Sequence, residues 1–498
     1  MFTRILVANR GEIAVRVMRT CREMGLETVA VYSDADARAL HVTVADRAVR
    51  IGGAAPADSY LSQTAILEAA RSTGAQAVHP GYGFLSENPG FATACADASL
   101  VFIGPPPGAM ARLGSKTAAR RLAEEAGVPV VPGAIPRDQG DAAIIDAAMR
   151  VGFPILLKPS EGGGGIGMKE VLTAEALPGA ITQARREALG AFGDGTLYVE
   201  RLVARPRHVE FQVIGDRHGA VVHLFERECS IQRRHQKVLE ETPSTAVTPG
   251  LRQRMGAAAV ALARAAGYQN AGTVEFLLDG RGDDAEFFFL EMNARLQVEH
   301  PITEAVTGVD LVRAQIGVAA GEPLPWTQED LLQRGHAIEL RVCAEDPRQH
   351  YLPQAGTLAL YREPSMPGIR IDSGVTEGTE VSVHYDSLLA KLVAVGETRE
   401  AARRRALEAL RQFPILGIRT NLSLLSALLA HDRFVAGDVD THFLDTEAAM
   451  LLPPETSPPA EALAVAAALA AAPGPTPEAT DAQAAGSDPW ALLRNARV

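Results

Sequence analysis

The chain is poor in cysteine, with four in 498 residues. Cys21, Cys95, Cys229 and Cys343 lie far apart and form no CxxC pair. That spacing speaks against a structural zinc site or a disulfide framework, and fits free thiols in a reducing compartment. Long apolar runs are also missing. No window reaches the roughly 18 uninterrupted apolar residues of a membrane span. The Ala-rich stretch near 460–472 is broken by Glu461 and Pro473. The N-terminus runs straight into a short apolar strand, Ile5-Leu-Val-Ala8, without the long apolar segment and cleavage site of a secretory signal. A cytoplasmic protein that meets no membrane is therefore expected. Positive charge is in deficit: the net charge is −12 and the pI near 5.6. An acidic balance argues against general nucleic-acid binding but leaves room for a local basic pocket for phosphates. There is no Walker A motif, because Gly114-Ser-Lys-Thr117 lacks the adjacent Gly-Lys pair. No internal repeat of fixed period is present.

What remains is the composition of a globular protein, 47% apolar and 22% charged, long enough for roughly three domains. Residues 1–114 alternate short apolar strands with helical stretches: Ile5–Ala8, then Ile13–Met24, then Thr28–Tyr32, and later Ala77-Val78 and Leu100–Ile103. Such alternation predicts parallel βαβ units, a Rossmann-like sheet. Residues 115–129 read as a linking helix, and 115–203 as a unit built around a glycine-rich loop. Residues 204–445 read as a larger α+β domain, with strand-like runs at His208–Ile214, Val221–Phe225, Thr273–Leu278 and Phe287–Met292. An Ala/Pro-rich linker is expected over 446–486. The terminal 487–498, with Trp490 and Leu492-Leu493, suggests the start of a further packed domain.

The chemistry concentrates first in Glu291-Met-Asn-Ala-Arg-Leu-Gln-Val-Glu-His-Pro301. Glu291, Asn293, Arg295, Gln297 and Glu299 fall at every second position, with apolar or small residues between. An extended segment would put all of them on one face. A half-buried strand with a solvated face is one reading. The other is a site, since the oxygens suit a hard cation such as Mg²⁺ and the guanidinium suits an anion.

The second feature is Lys158-Pro-Ser-Glu-Gly-Gly-Gly-Gly-Ile-Gly-Met168. Its glycines satisfy GxGxxG, yet Met168–Thr173 reads as another strand where a dinucleotide fold needs a helix. Two strands joined by glycines make a flap whose bare amides can close over phosphates. Lys158 ends an apolar run. It is either a snorkelling surface residue or a phosphate ligand, and the adjacent glycines favour the latter. Lys116 is a second candidate phosphate ligand, or else a solvated helix charge. Third, His208, Glu210 and Gln212 alternate with apolar residues after Glu200-Arg-Leu-Val203. Fourth, Glu226–Glu241 packs Arg233, Arg234, His235 and Lys237 between acidic residues. By itself that run reads as a solvated face.

Together these motifs resemble the biotin carboxylase component of biotin-dependent carboxylases, members of the ATP-grasp superfamily. The likeness runs from Ile5 to about Leu444. It includes Ala8–Ala14, His79–Asn88, Gln232–Glu241, the Glu291–Pro301 segment, His336–Arg341 with Ala344–Pro347, and Tyr385–Leu388. It implies an ATP-grasp fold with an N-terminal parallel-sheet domain, a lid and a C-terminal biotin carboxylase domain. It also implies an enzyme that makes carboxybiotin from MgATP (or the Mn²⁺ form), bicarbonate and biotin on a carrier protein. Lys116, Lys158, His208 and His235 would hold the phosphates, and Gly164 and Gly165 would close over them. Glu200, Arg201, Leu202 and Val203 would form the hinge that meets adenine, with Gln232 also on the nucleotide. Glu275, Glu291 and Asn293 would hold the metal. Bicarbonate would lie against Lys237, Arg295, Gln297 and Val298, with Glu299 as the base that removes its proton. The carboxyphosphate so formed would break down to CO₂ and phosphate. Arg341 would stabilise the enolate-like oxygen of biotin, with Tyr82 and Asp386 nearby.

Two departures stand out. The family's glycine loop commonly carries Arg or Lys before its last Gly-Met, and this chain has Ile166. Nothing resembles the biotin-bearing Ala-Met-Lys-Met motif; the only Met-Lys pair is Met168-Lys169. The expectation is therefore a separate carrier, or a longer subunit of which this is the front portion. Residues 378–385, 438–441 and 488–490 resemble acyl-CoA carboxylase α subunits. Implied partners are a carrier protein or domain, a carboxyltransferase, and a second copy of the chain, since Arg16, Arg19 and Glu23 match residues near the family's dimer interface. An ATP-grasp ligase for another carboxylate, or a lapsed nucleotide-binding scaffold, are the competing readings.

Overall fold

The structure is a computed structural model that describes residues 2–161, 166–234 and 236–452, together with positions 460 and 464. The segment 487–498 and most of the expected linker lie outside the described residues. At the linker's start, Ala448–Leu451 is a short helix whose Leu451 packs into the core.

The N-terminal part is a five-stranded sheet in the order β3-β2-β1-β4-β5. Its strands are β1 (Arg4–Val7), β2 (Glu27–Ser33), β3 (Arg47–Gly52), β4 (Ala77–His79) and β5 (Val101–Phe102), and every pairing is parallel. Ile5, Leu6 and Val7 are all buried, as a sheet covered on both faces demands. The helix α1 (Gly11–Glu23) follows β1 and packs Ile13, Ala14, Val17 and Met18 onto the sheet. Both expectations for this region, the βαβ alternation and the parallel sheet, are borne out.

The helix α2 (Lys116–Glu125) leads into a small four-stranded sheet. Its strands are β6 (Gly133–Ala134), β7 (Ile155–Pro159), β8 (Lys169–Val171) and β9 (Leu197–Arg201), ordered β6-β9-β7-β8. Helices α3 (Asp141–Val151) and α4 (Leu177–Phe192) cover it with Ile144, Ala147, Ile181 and Ala184. β7 and β8 are antiparallel, Ile155 facing Val171, so strands flank the glycine run on both sides as expected. At Gly167 the backbone takes φ +77°, and a Cβ would come 2.9 Å from Pro159 and 3.3 Å from the Ala184 carbonyl. Only glycine fits that close crossing.

The largest sheet has eight strands. These are β10 (Arg207–Gly215), β11 (Val221–Arg233), β12 (Gln236–Thr242), β13 (Asn270–Asp279), β14 (Glu286–Asn293), β15 (His336–Cys343), β16 (Ile369–Ser373) and β17 (Leu388–Gly396). The order is β14-β13-β10-β11-β12-β15-β17-β16, antiparallel throughout. Helix α5 (Pro249–Ala265), capped by Thr248, covers one part of it, and α6 (His300–Thr307) follows β14. One continuous ladder thus carries most of the residues singled out above.

Candidate active site

Register, more than sequence proximity, assembles the site. Across the ladder Arg227 faces Glu210, Glu210 faces Glu275, and Glu275 faces Glu291. Three carboxylates in adjoining cross-strand positions repel one another, so the row needs cations. Lys237 supplies the central one. Its Nζ lies 2.5 Å from Glu210 Oε2, 2.9 Å from Glu275 Oε1 and 2.5 Å from Glu299 Oε1. Arg227, fully buried, holds the row from beneath. Its Nε donates to Glu210 at 2.6 Å, and its Nη1 to Gln212 and Thr303 at 2.9 Å. His208 Nε2 lies 3.0 Å from Glu275 Oε2.

These contacts set the protonation states. Burial works against the Lys237 charge, but Glu210, Glu275 and Glu299 together hold its pKa well above the usual lysine value. Burial would raise Glu299, yet Lys237, Arg341 and Arg227 hold it well below the carboxylate range. Glu275 is likewise lowered against its burial, by Lys237 and His208. His208 is raised, Glu275 outweighing its desolvation. Glu291 goes the other way: burial and the charge of Glu275 push it up. Among the described residues its carboxylate makes no hydrogen bond.

Lys116 opens α2, and its backbone N–H reaches the Ser160 carbonyl at 3.3 Å, which sets it next to the end of β7. Burial lowers its pKa, partly offset by Glu291, and among the described residues its ammonium has no ion pair. Lys158 is buried. Its Nζ sits 2.9 Å from Glu200, whose other oxygen takes Arg120 at 2.7 Å. The Glu200 carboxylate is thus already spent on cations. Arg201 and Leu202 donate their amides to the carbonyls of Pro132 and Pro154 at 2.8 and 3.0 Å. Val203 is the next residue, and among the described residues its backbone makes no hydrogen bond. Gln232 faces Lys237 across β11 and β12. Gly164, Gly165 and His235 lie outside the described residues.

The segment after Glu291 corrects the strand expectation. β14 ends at Asn293, and Glu299 is the N-cap residue of α6. Alternation therefore describes only the first part, and the rest turns into the helix. Polar side chains still converge. Asn293 donates to Glu275 at 2.9 Å, and the Arg295 guanidinium spans Glu87, Gln297 and Asn293 at 2.8, 3.0 and 3.1 Å. Arg341 on β15 meets Glu299 Oε2 at 3.0 Å and donates to Glu240 at 2.6 Å. Burial pushes Glu240 up to about 7, with Arg341 opposing and Glu299 reinforcing the rise. Tyr82 donates to Glu12 and lies within the electrostatic reach of Arg341 and Asp386. Asp386 is exposed and accepts the Leu388 amide.

Sequence reasoning missed Arg227, Glu240, Glu87, Glu12 and Lys391. Arg227 belongs to the charged run Glu226–Glu241 but carries no expected role, and the structure buries it completely. The available signal was a lone charge in a strand: Lys391 interrupts Leu388-Leu-Ala and Leu392-Val-Ala-Val395, and it too is fully buried. Arg16 is buried within the chain, binding Glu304 and Asp310 at 2.8 and 3.0 Å, while Arg19 and Glu23 remain partly exposed and pair with Asp372 and Arg313.

A small four-stranded sheet whose β7 and β8 flank a glycine run, beside a large antiparallel sheet rich in carboxylates, defines an ATP-grasp protein. Comparison with known proteins narrows that class. The family model for the biotin carboxylase N-terminal domain matches residues 1–110. That for the carbamoyl-phosphate synthase L chain ATP-binding domain matches 115–327, and that for the biotin carboxylase C-terminal domain 339–446. Biotin carboxylase 2 of Bacillus subtilis is 48% identical, over 89% of this chain and 99% of its own length. The mitochondrial methylcrotonoyl-CoA carboxylase subunit alpha of Arabidopsis thaliana is 48% identical over 93% of the chain, which spans only 63% of that subunit. The biotin carboxylase domain dimer of Hydrogenobacter thermophilus 2-oxoglutarate carboxylase, solved with MgADP and bicarbonate, superposes with a TM-score of 0.87. It is 42% identical, over 91% of this chain and all of that one. The chain belongs to the biotin carboxylase family.

Proposed function

We propose that the chain carboxylates biotin on a carrier protein, using ATP and bicarbonate. This would be the first half-reaction of an acyl-CoA carboxylase of the acetyl-, propionyl- or methylcrotonyl-CoA type. One observation carries the reading. Glu299, ionised and held by Lys237 and Arg341, lies next to Arg295 and to metal-suited carboxylates in one buried cluster. That arrangement suits an anion that must lose a proton before attacking a phosphate.

The residues fit MgATP. Glu275 faces Glu291 and is paired with Lys237, while among the described residues neither Glu291 nor Lys116 has an ion-pair partner. Glu275, Glu291 and Asn293 would hold Mg²⁺ or Mn²⁺, which neutralises phosphate charge in transfer. Lys116, Lys158, His208, His235 and Gln232 would bind phosphates and sugar, with Gly164 and Gly165 as the closing flap. The free backbone of Val203, at the end of Glu200-Arg-Leu, would meet adenine.

Lys237, Arg295, Gln297 and the Val298 backbone would seat bicarbonate, the guanidinium donating paired hydrogen bonds to a planar oxyanion. Glu299 would take its proton. Arg341 would then stabilise the oxygen of the biotin ureido group as charge develops on it, with Tyr82 and Asp386 at the pocket's mouth.

A carrier protein or domain and a carboxyltransferase would be the partners, in a homodimer set against Arg19 and Glu23. The compartment is proposed as the cytoplasm; among the described residues no helix is long and apolar enough to cross a membrane. The test is steady-state ATP hydrolysis with free biotin. Turnover should require bicarbonate and rise with biotin; hydrolysis indifferent to bicarbonate would sink the reading.

A further inference from the structure

Residues 294–299 carry the bicarbonate half of the site, and outside groups hold them at both ends. At the start, Glu87 accepts the Ala294 amide and Arg295 Nε, each at 2.8 Å. At the end, three consecutive carbonyls are fixed. Gln297 O takes His300 Nδ1 at 2.7 Å, and Glu299 O takes the Ile302 amide at 3.3 Å, both within the local turn. Val298 O takes Lys391 Nζ at 2.9 Å, from β17. Among the described residues this is the only hydrogen bond to those carbonyls from a distant element.

Lys391 is fully buried, and its ammonium also pairs with Glu12 Oε2 at 3.0 Å, while Glu12 Oε1 accepts the Tyr82 hydroxyl. In the ladder Lys391 stands between Arg341 on β15 and Asp372 on β16. A buried lysine–glutamate pair is a weak device for stability alone, since well-packed apolar residues often hold two elements as firmly. No apolar pair could donate to a carbonyl.

We propose that Lys391 is a positioning residue for bicarbonate: its ammonium fixes the Val298 carbonyl and thereby the backbone between Arg295 and Glu299. The inference rests on the function proposed above and deepens it. Through Glu12 the same ammonium is tied to Tyr82, so one buried charge braces the bicarbonate turn and a candidate biotin contact together.

The test uses the full chain, free biotin, and two variants. K391M/E12Q removes the ammonium without leaving an orphan carboxylate. E12Q alone leaves the ammonium on the Val298 carbonyl. In the double variant the KM for bicarbonate should rise about tenfold or more, with the KM for ATP within about twofold of wild type. In E12Q the bicarbonate KM should stay within about threefold. An unchanged bicarbonate KM in the double variant, an equal rise in both constants, or an E12Q as impaired as the double variant would each overturn the inference. If the double variant does not fold, a third variant, K391R, decides: it keeps the charge beside Glu12 but misplaces the donor at the Val298 carbonyl, so a bicarbonate KM raised about threefold or more with the ATP KM unchanged supports the proposal, and an unchanged bicarbonate KM defeats it. Wild-type protein without bicarbonate-dependent turnover defeats the proposed function itself. An active wild type with an unaffected double variant defeats only the role of Lys391.

Discussion

Single side chains set the charge states of this site. Glu299 is held ionised by Lys237 and Arg341. Glu299→Gln keeps the shape and loses the proton acceptor, so bicarbonate-dependent turnover should fall by about a hundredfold or more, while ATP still binds. Untouched turnover would remove Glu299 as the base. Glu240 gives a pH signature. Its folded-state pKa of about 7 lies above the ordinary 4.5. The folded protein therefore holds that proton more tightly than the unfolded chain. Its contribution to stability is complete below about pH 4.5 and is lost as pH rises through 7, a change of roughly 3 kcal/mol. Chemical denaturation of the unliganded protein should show stability falling over that window, and Glu240→Gln should flatten the slope. At the lid, Ile166 is half exposed where the family commonly has a cation. Ile166→Arg should lower the apparent ATP constant; an unchanged value would show that the position meets no phosphate.

At the scale of elements, the ladder β11-β10-β13-β14 does the assembling. Arg227 is the underside of that ladder, and Arg227→Met would leave Glu210 with Lys237 at 2.5 Å and the more distant His208 at 4.0 Å. The loss should be about 3–5 kcal/mol of stability in a denaturant titration, with Glu210→Leu in the same chain restoring part of it. The strands themselves were legible in the sequence wherever apolar runs or period-two alternation stood clear, as in Ile5–Ala8 and Phe287–Met292. Legibility failed where a side chain's fate depends on a distant strand. Nothing local tells that Glu226-Arg-Glu228 is buried, because the groups that accept hydrogen bonds from Arg227 come from β10, β13 and α6. The alternation after Asn293 misled for a different reason. Pro301 suits the first turn of a helix, so the chain turns although the polar spacing persists.

For the whole molecule, the N-terminal sheet domain is more than a neighbour of the ATP-binding part. It supplies Glu87, which holds Ala294 and Arg295, and Glu12, which pairs with the Lys391 that holds the Val298 carbonyl. The motifs containing these residues were visible in the sequence, but their partners lie more than 200 residues away for Glu87 and 379 for Glu12 (391 − 12), beyond any local pattern. Ligand binding should register on the entire folded unit. At a hundredfold excess over its Kd, MgATP should stabilise it by about 2.7 kcal/mol, read as a rise in Tm. ATP with a chelator should give less, because Glu291 and Glu275 would then face phosphate oxygens without a metal.

Lys237 already serves as a resident counter-ion for three glutamates. A free divalent ion arriving alone must compete with that tethered ammonium and draw Glu275 away from it. An ion arriving on a nucleotide brings phosphate oxygens that can engage the neighbouring Lys116 and His208, so its capture is favoured over that of the bare ion. If Glu275, Glu291 and Asn293 hold the metal as proposed, the tethered ammonium would turn stray metal away and admit metal with nucleotide.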